Sequence, residues 1–199
     1  MLKDKFFKPV RLYRDPHVAV EIVAELAASR LGSLAGFPVI EVELADLDGR
    51  KGIIMEYLPE KATKHSINIS EIMEALAFEE VILNVDLKEE HVLAKNGKAY
   101  IIDHGHSFNA WKPLYFIQEI VSKRVTRFNL WSDKESFLRG VEKINSIDEK
   151  EVRKVVGEAV NDVVSFEVCK LFDDKLAKET IEISSRIFSF RKSILLSLF

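Results

Sequence analysis

The sequence predicts an α+β fold of two lobes, a small β-rich lobe over residues 1–60 and a larger helical lobe over residues 61–199. Alternating apolar residues and turn-forming glycines predict short strands in the first lobe. Beyond Pro113 the apolar residues recur at helical spacing instead. A polar linker over residues 60–68 marks the boundary between the lobes. This order of elements is typical of an α+β arrangement, and we expect a cleft between the lobes.

In the smaller lobe, Asp15-Pro16 predicts a helix start, because aspartate caps helix N-termini and proline is favoured in the first turn. Gly36-Phe37-Pro38 predicts its end. Asp48-Gly49 predicts a hairpin turn between two strands. The predicted elements of this lobe are a strand at 6–10, a helix at 16–34, and strands at 39–47 and 52–58.

In the larger lobe, Ser70 is a candidate helix N-cap, and Asn96-Gly97 is a strong hairpin signal between two short strands. The predicted elements of this lobe are a helix at 70–83, strands at 91–94 and 99–102, and helices near 112–127, 134–144, 149–172 and 175–196. The apolar stretch 187–199 predicts a buried last helix, and a homodimer contact there stays open.

Composition limits the function classes. The chain has 199 residues with 47% hydrophobic and 31% charged residues, which is ordinary for a globular protein with one good core. The formal net charge of −3 argues against dedicated nucleic-acid binding. Cys169 is the single cysteine, no run approaches the length needed to span a bilayer, and the charged N-terminus lacks a signal-peptide core. We therefore expect a cytoplasmic protein without a membrane segment.

One segment carries most of the chemical information. Asp86 and Lys88 lie on a predicted loop, and Asp103 follows an apolar strand a short hairpin later. This spacing is that of a protein-kinase-like catalytic loop and its metal-binding aspartate. Asp86 is the candidate catalytic base or hydroxyl-orienting group, Lys88 is placed to neutralise a transferring phosphoryl, and Asp103 is the candidate Mg²⁺ ligand.

Each of these residues also has an ordinary interpretation. A lone loop aspartate such as Asp86 usually forms a turn, and Lys88 alone would be a solvated lysine. Asp103 is a better candidate than Asp86 taken singly, because a carboxylate at the end of a buried strand is costly without a cation or donors. Gly105 is expected to let the backbone turn sharply after it. His91 takes the place of a kinase asparagine, and imidazole prefers softer metals than Mg²⁺. A hydrogen bond from His91 to the loop or to a phosphate oxygen is the alternative to metal binding.

The segment resembles the HipA-like kinases, a branch of the protein-kinase-like superfamily with atypical motifs. The residues that carry the resemblance are Asn84, Asp86, Lys88, His91-Val92-Leu93 and Ile102-Asp103-His104-Gly105. Upstream, Phe7-Lys8-Pro9, Glu25–Leu31 with Leu34–Val39, and Gly52–Leu58 resemble the lysine strand, the glutamate helix and the strand leading to the hinge. The likeness ends near Phe108. It implies a two-lobed protein-kinase-like fold with a reduced β-rich N-terminal lobe and a helical C-terminal lobe.

The resemblance also implies ATP and Mg²⁺ as cofactors. Lys8 would contact the α- and β-phosphates, and Glu25 would hold it by an ion pair, with Glu21 as an alternative partner one turn earlier. Glu56 and Leu58 would offer backbone groups to adenine. The implied metal ligands are Asp103 with His91 or Asn84. Only seven residues precede Lys8, too few for the glycine-rich hairpin that covers the phosphates in kinases.

Three functions remain open from the sequence. The first is an ATP-dependent kinase acting on a hydroxyl acceptor, with a protein serine or threonine as the acceptor by analogy. The second, favoured by the missing glycine-rich hairpin, is a nucleotide-binding pseudokinase or regulatory module without turnover. The third is a transition-metal hydrolase built from His91, His104, His106 and Asp103, because histidine and carboxylate suit zinc or iron.

Overall fold

A computed structural model describes residues 4–10 and 15–199. Its strands are β1 (Lys5–Pro9), β2 (Val42–Leu47), β3 (Arg50–Glu56), β4 (Glu60–Lys61), β5 (Val92–Lys95) and β6 (Lys98–Ile101). Its α-helices are α1 (Pro16–Leu34), α2 (Ile69–Glu74), α3 (Leu76–Val81), α4 (Leu114–Ile120), α5 (Lys134–Asn145), α6 (Glu149–Ser165) and α7 (Asp174–Ile194). The predicted α+β order is confirmed.

The first sheet carries the lysine strand. Its strand order is β1-β3-β2, and both pairs are antiparallel. Lys8 lies opposite Ile53 in the register of β1 and β3. The predicted hairpin turn is present, with Asp48 and Gly49 at φ values of 54° and 77° that match a two-residue turn. The strand predicted from Val39 begins only at Val42.

Helix α1 packs behind this sheet. It starts as predicted, because the Asp15 side chain accepts a hydrogen bond from His17 N and Pro16 follows in the first turn. The Ser29 hydroxyl, which is buried, donates to Ile40 O and accepts from Val42 N. These two bonds fix the helix against the start of β2, and so fix the position of the glutamates that α1 carries.

The second sheet is bound to the segment that precedes β2. Its order is β4-β5-β6, and the predicted turn at Asn96-Gly97 has both residues at positive φ, 53° and 76°. Val39 forms an isolated parallel bridge to Ile101. Ile40 N donates to Ile101 O, and Ile101 N donates to Pro38 O. The segment before β2 therefore binds directly to the strand that leads into Asp103.

Three helix predictions were wrong in their extent. The helix expected over 70–83 is divided at Ala75 into α2 and α3. Asn68, rather than Ser70, lies at the N-cap position. The second helix ends early, before Leu83, which has φ 57°. The helix expected near 112–127 is only α4, because the later amides bind a buried glutamate rather than helix carbonyls. Helix α6 stops before residue 172, since Glu167 has φ 50°.

One large hydrophobic core runs through both halves of the chain, from α1 to the C-terminal helices. Helix α1 packs on α6, and α6 packs on α7. In the described parts, residues 4–10 and 15–199, no helix has both the length and the apolarity to cross a membrane. The division into lobes at residues 60 and 61 stays a prediction, since β4 lies just past that boundary and pairs with β5.

Candidate nucleotide and catalytic site

Lys8, Glu25 and Asp103 come together from three separate elements. The Lys8 ammonium on β1 lies 3.2 Å from Glu25 Oε1 on α1 and 3.0 Å from Asp103 Oδ1 after β6. Glu21, one helical turn before Glu25, is 3.6 Å from the same ammonium. Both glutamates that the sequence offered as partners are therefore near Lys8, and the buried Glu25 is the closer one.

The environment shifts the pKa values of this cluster. Burial alone would lower the pKa of Lys8, but the charges of Glu25 and Asp103 outweigh burial and raise it. Burial raises the pKa of Glu25 despite the attraction of Lys8. Burial also opposes ionisation of Asp103, yet Lys8 outweighs it and the pKa of Asp103 is lowered. At neutral pH the Lys8–Asp103 pair is thus charged on both sides.

The backbone at Asp103 is strained. Asp103 has φ 64°, in the left-handed region that residues other than glycine rarely adopt, and such strain collects at functional sites. The chain turns at Gly105 as expected, since Ser107 N donates to His104 O across it, but the positive φ belongs to Asp103 and not to Gly105. Gly105 is needed for space instead, since a Cβ atom there would lie 2.6 Å from Cγ of Glu21.

A cavity of about 380 Å³ opens beside Lys8 and Asp103. Its wall is mostly apolar, and Lys8, Glu25 and Asp103 contribute charged groups to it. The remaining lining residues are Phe6, Met55, Glu56, Tyr57, Leu58, Leu93 and Ile102. An apolar cleft with a few convergent polar groups is the usual form of a small-molecule site. Its lining combines an apolar wall with the charged groups of Lys8, Glu25 and Asp103.

Glu56 and Leu58, the residues expected to face adenine through their backbone, both line this cavity. The Glu56 side chain is held by Lys95 at 2.6 Å, and Tyr57 N donates to Asp4 O. The Glu56 side chain and the Tyr57 backbone amide are therefore both engaged while the segment runs along the cavity. Recognition of adenine by these backbone groups stays a prediction.

The Asp86 carboxylate lies between two cations, and its amide is bound by Asn84. Asp86 Oδ2 lies 3.1 Å from Lys88 Nζ, and Asp86 Oδ1 lies 3.4 Å from Nη1 of Arg127. Asn84 is fully buried, and its Oδ1 accepts a hydrogen bond from the Asp86 amide at 3.2 Å. In this arrangement Asn84 orients the backbone of Asp86. Its predicted role as a metal ligand is untested.

The three clustered histidines have separate environments. His91 is nearly buried, its Nε2 is 3.9 Å from Asp103 Oδ2, and burial lowers its pKa despite the nearby charges of Asp103 and Asp86. His104 is bound to a buried glutamate, and His106 stacks near Trp111 with ring centroids 6.5 Å apart. Across residues 4–10 and 15–199, no group of three or more His, Cys, Asp or Glu side chains is arranged to hold a metal ion.

Glu79 on α3 was missed by the sequence analysis and connects both functional segments. Its Oε2 accepts a hydrogen bond from Asn84 Nδ2 at 2.7 Å, and its Oε1 lies 2.9 Å from His104 Nε2. Burial would lower the pKa of His104, but the Glu79 carboxylate outweighs it and raises that pKa. His104 N donates to Glu25 Oε2 at 2.9 Å. A continuous hydrogen-bonded chain therefore runs from the Asp86 loop to the Lys8–Glu25 pair.

The next residue, Glu80, was missed as well and is also fully buried. Its carboxylate pairs with Nη2 of the fully buried Arg191 at 2.7 Å and accepts hydrogen bonds from the amides of Val125 and Thr126. Arg191 also donates to the carbonyls of Val121 and Lys123. The sequence signal was two adjacent glutamates inside an otherwise apolar run over residues 75–83.

The fold is kinase-like. The crystal structure of CtkA, a proinflammatory kinase from Helicobacter pylori, matches this chain with a TM-score of 0.58 and 10% sequence identity. The match covers 89% of this chain and 83% of the CtkA chain. The kinase-like fold expected from the sequence is therefore confirmed. No protein-family model matches the chain, and no curated protein sequence does.

Proposed function

We propose that the protein is an ATP-dependent kinase of the HipA-like kind that transfers the γ-phosphoryl group of ATP to a hydroxyl acceptor. The observation that carries this proposal is the position of Lys8 at the charged end of an apolar cavity, paired with both Glu25 and Asp103. A lysine held by a helix glutamate next to a metal-binding aspartate is the arrangement that kinases use for nucleotide phosphates. The kinase-like fold supports the same function.

The residues of the cavity fit ATP and Mg²⁺. Met55, Leu58 and Ile102 offer an apolar surface for adenine, and Lys8 offers a cation for the phosphates. Magnesium prefers oxygen ligands, and the Asp103 side chain is 40% exposed, so its carboxylate is accessible from the cavity. Asp103 would hold the metal, and the further candidates, Asn84 and His91, lie outside the residues that line the cavity. Bound Mg²⁺ would neutralise charge on the phosphates.

In the proposed reaction, Asp86 orients the acceptor hydroxyl and accepts its proton as the oxygen attacks the γ-phosphorus. The bond from that phosphorus to the β,γ-bridging oxygen breaks, and ADP leaves. Lys88, 3.1 Å from Asp86, neutralises charge on the transferring group. Asn84 and Glu79 keep the Asp86 loop in place through buried hydrogen bonds. Because phosphoryl transfer depends on positioning and electrostatics, these contacts are the main contribution of the chain.

The acceptor that we propose is a serine or threonine of another protein. We also propose a cytoplasmic location, where ATP is available. The free and buried Cys169 is consistent with a reducing compartment.

A nucleotide-binding pseudokinase is the second candidate. One observation favours it: both carboxylate oxygens of Asp86 are close to a cation, one to Lys88 and the other to Arg127. A hydroxyl acceptor would compete with Arg127 for Asp86 Oδ1. A protein that only binds the nucleotide has no such competition.

Magnesium-dependent ATP turnover separates the two candidates. We expect the protein to hydrolyse ATP slowly or to phosphorylate an acceptor, and Asp86→Ala to abolish turnover while ATP binding persists. ATP binding without turnover in the unmodified protein would support the pseudokinase. Failure to bind ATP at all would contradict both.

A further inference from the structure

The segment of residues 121–127, which we call the 121–127 segment, is irregular in structure but firmly held. The buried Glu80–Arg191 pair binds its backbone at four residues, with Glu80 accepting from Val125 N and Thr126 N, and Arg191 donating to Val121 O and Lys123 O. Burying two opposite charges is costly unless their hydrogen bonds are satisfied. Here they are satisfied by this backbone, so the pair fixes the position of the segment.

The same segment packs against the loop that carries Asp86. Val121 and Val125 are partly buried against a small apolar cluster that contains Leu83, and Val85 packs against that cluster too. Arg127, at the end of the segment, reaches Asp86 at 3.4 Å. An acceptor that presents a hydroxyl to Asp86 must therefore pass beside Arg127.

All charged residues of the segment are positive. It contains Lys123, Arg124 and Arg127 and no acidic residue, and all three cations are exposed. Arg127 has 64% of its side chain exposed and lies nearest to Asp86. Other charges nearby are mixed, since Lys88 stands beside Glu89 and Glu90, and Glu119 on α4 is exposed. The positive charge is thus concentrated on the 121–127 segment.

Helix α4, which leads into the segment, leaves Leu114, Tyr115 and Phe116 exposed, with Tyr115 72% exposed. Residues 114–127 therefore offer apolar side chains followed by cations along an extended stretch of surface. A surface of this length and mixed character suits a polypeptide better than a small metabolite, because a small molecule would contact only a part of it.

We propose that the acceptor is an acidic peptide segment, in which carboxylates flank the phosphorylated hydroxyl and pair with Arg127, Lys123 and Arg124 on the 121–127 segment. A carboxylate of the peptide pairs with Arg127 in place of Asp86, which leaves Asp86 Oδ1 free to accept a hydrogen bond from the hydroxyl. Binding of an acidic acceptor therefore also makes Asp86 available to orient the hydroxyl. This inference rests on the proposed kinase function.

The test uses three synthetic peptides of one length, each with a single serine flanked by glutamate, glutamine or lysine. Transfer of labelled phosphate from ATP is measured at low and high salt. The glutamate peptide is expected to have a kcat/KM about fivefold above that of the glutamine peptide, since an exposed ion pair contributes up to about 1 kcal/mol. The lysine peptide is expected to be the poorest, and salt is expected to reduce the preference.

Arg127→Ala is expected to bring the ratio of kcat/KM for the glutamate and glutamine peptides close to one, while the KM for ATP is unchanged. Lys123→Ala with Arg124→Ala should reduce the ratio in part. The matched control is Lys154→Ala, an exposed lysine on α6, which should keep the ratio of the unmodified protein.

Equal use of the glutamate and glutamine peptides by the unmodified protein would overturn the inference. A ratio that survives Arg127→Ala combined with the Lys123 and Arg124 changes would overturn it as well. ATP turnover is followed in the same assays without peptide. Turnover without peptide preference refutes only the acidic acceptor, whereas absence of all turnover and transfer refutes the kinase function and the acceptor with it.

Discussion

Glu79 and Glu80 are consecutive on α3, both are fully buried, and each carboxylate holds a different part of the candidate catalytic machinery. Glu79 binds Asn84, which lies two residues before Asp86, and His104, which directly follows Asp103. Glu80 binds Arg191 and the amides of the 121–127 segment. Two adjacent residues on one helix thus hold the segments of Asp86 and Asp103 and the 121–127 segment in place.

Glu79→Gln tests the first of these links. Glutamine has one acceptor oxygen where the carboxylate has two, so it cannot accept from both Asn84 and the His104 ring. We expect the free energy of unfolding to fall by about 1–3 kcal/mol, as for other buried groups left without a partner. We also expect kcat to fall, because Asp86 loses its fixed orientation.

Denaturant unfolding and steady-state kinetics measure the two effects of Glu79→Gln. The control is Glu158→Gln, an exposed glutamate on α6. If Glu79→Gln lowered stability but left kcat at the level of that control, Glu79 would have a structural role alone.

Lys8→Met tests the nucleotide site. The change removes the cation that lies 3.2 Å from Glu25 and 3.0 Å from Asp103, and it leaves the two carboxylates to repel each other and the phosphates. We expect the affinity for ATP to fall by roughly tenfold to a hundredfold, the usual range for a lost charge-assisted hydrogen bond. Titration with a fluorescent ATP analogue measures this, with Lys5→Met on the same strand as the control. Equal affinity of the two variants would be inconsistent with the assigned site.

Arg191→Met tests the second buried pair. It removes the closer of the two cations at the Glu80 carboxylate, since Arg124 Nε remains 3.9 Å away, and it leaves the carbonyls of Val121 and Lys123 without their donor. We expect a loss of about 3–5 kcal/mol in the free energy of unfolding, as measured by urea denaturation. Arg186→Met, on the exposed side of the same helix, should cost less than about 1 kcal/mol. A cost for Arg191→Met as small as this would show that the pair does not fix the segment.

Lys112 gives a pH-dependent prediction. Burial lowers the pKa of Lys112 to about 7, and its ammonium donates to the carbonyls of His106 and Ala110 without a carboxylate partner. Between pH 7 and the ordinary lysine value of 10.5, the unfolded chain therefore binds more protons than the folded one, and stability from this group rises with pH.

The comparison that isolates this effect is with Lys112→Met. Relative to that variant, the unmodified protein should gain on the order of 1 kcal/mol per pH unit above neutrality. Thermal or urea unfolding at several pH values measures the difference. A difference that stayed constant or shrank as the pH rose would contradict the assigned pKa shift of Lys112.

The sequence predicted the parts of this protein that depend on local signals. The helix start at Asp15-Pro16 and the hairpin at Asn96-Gly97 follow from capping and turn chemistry, and both are present. The meeting of Lys8, Glu25 and Asp103 followed from the resemblance to HipA-like kinases, since no local rule brings together residues so far apart. Their geometry agrees with that expectation.

The parts that the sequence did not predict depend on long-range pairing of charges. Glutamates and arginines on helices are usually solvated, and no local rule pairs Glu79, Glu80 and Arg191 with their distant partners. The apolar run around the two glutamates was the only sign that they are buried. The 121–127 segment has helix-compatible residues, but its amides and carbonyls bind Glu80 and Arg191 from distant parts of the chain. Tertiary hydrogen bonds here override the local preference.

The most direct test of the proposed kinase site is a crystal structure of the protein with Mg²⁺ and a non-hydrolysable ATP analogue. We predict adenine between Met55, Leu58 and Ile102, the phosphates on Lys8, and Mg²⁺ on Asp103, with the γ-phosphate directed toward Asp86. A nucleotide bound away from this cavity, with Lys8 still paired to Asp103 as in the free protein, would contradict the account.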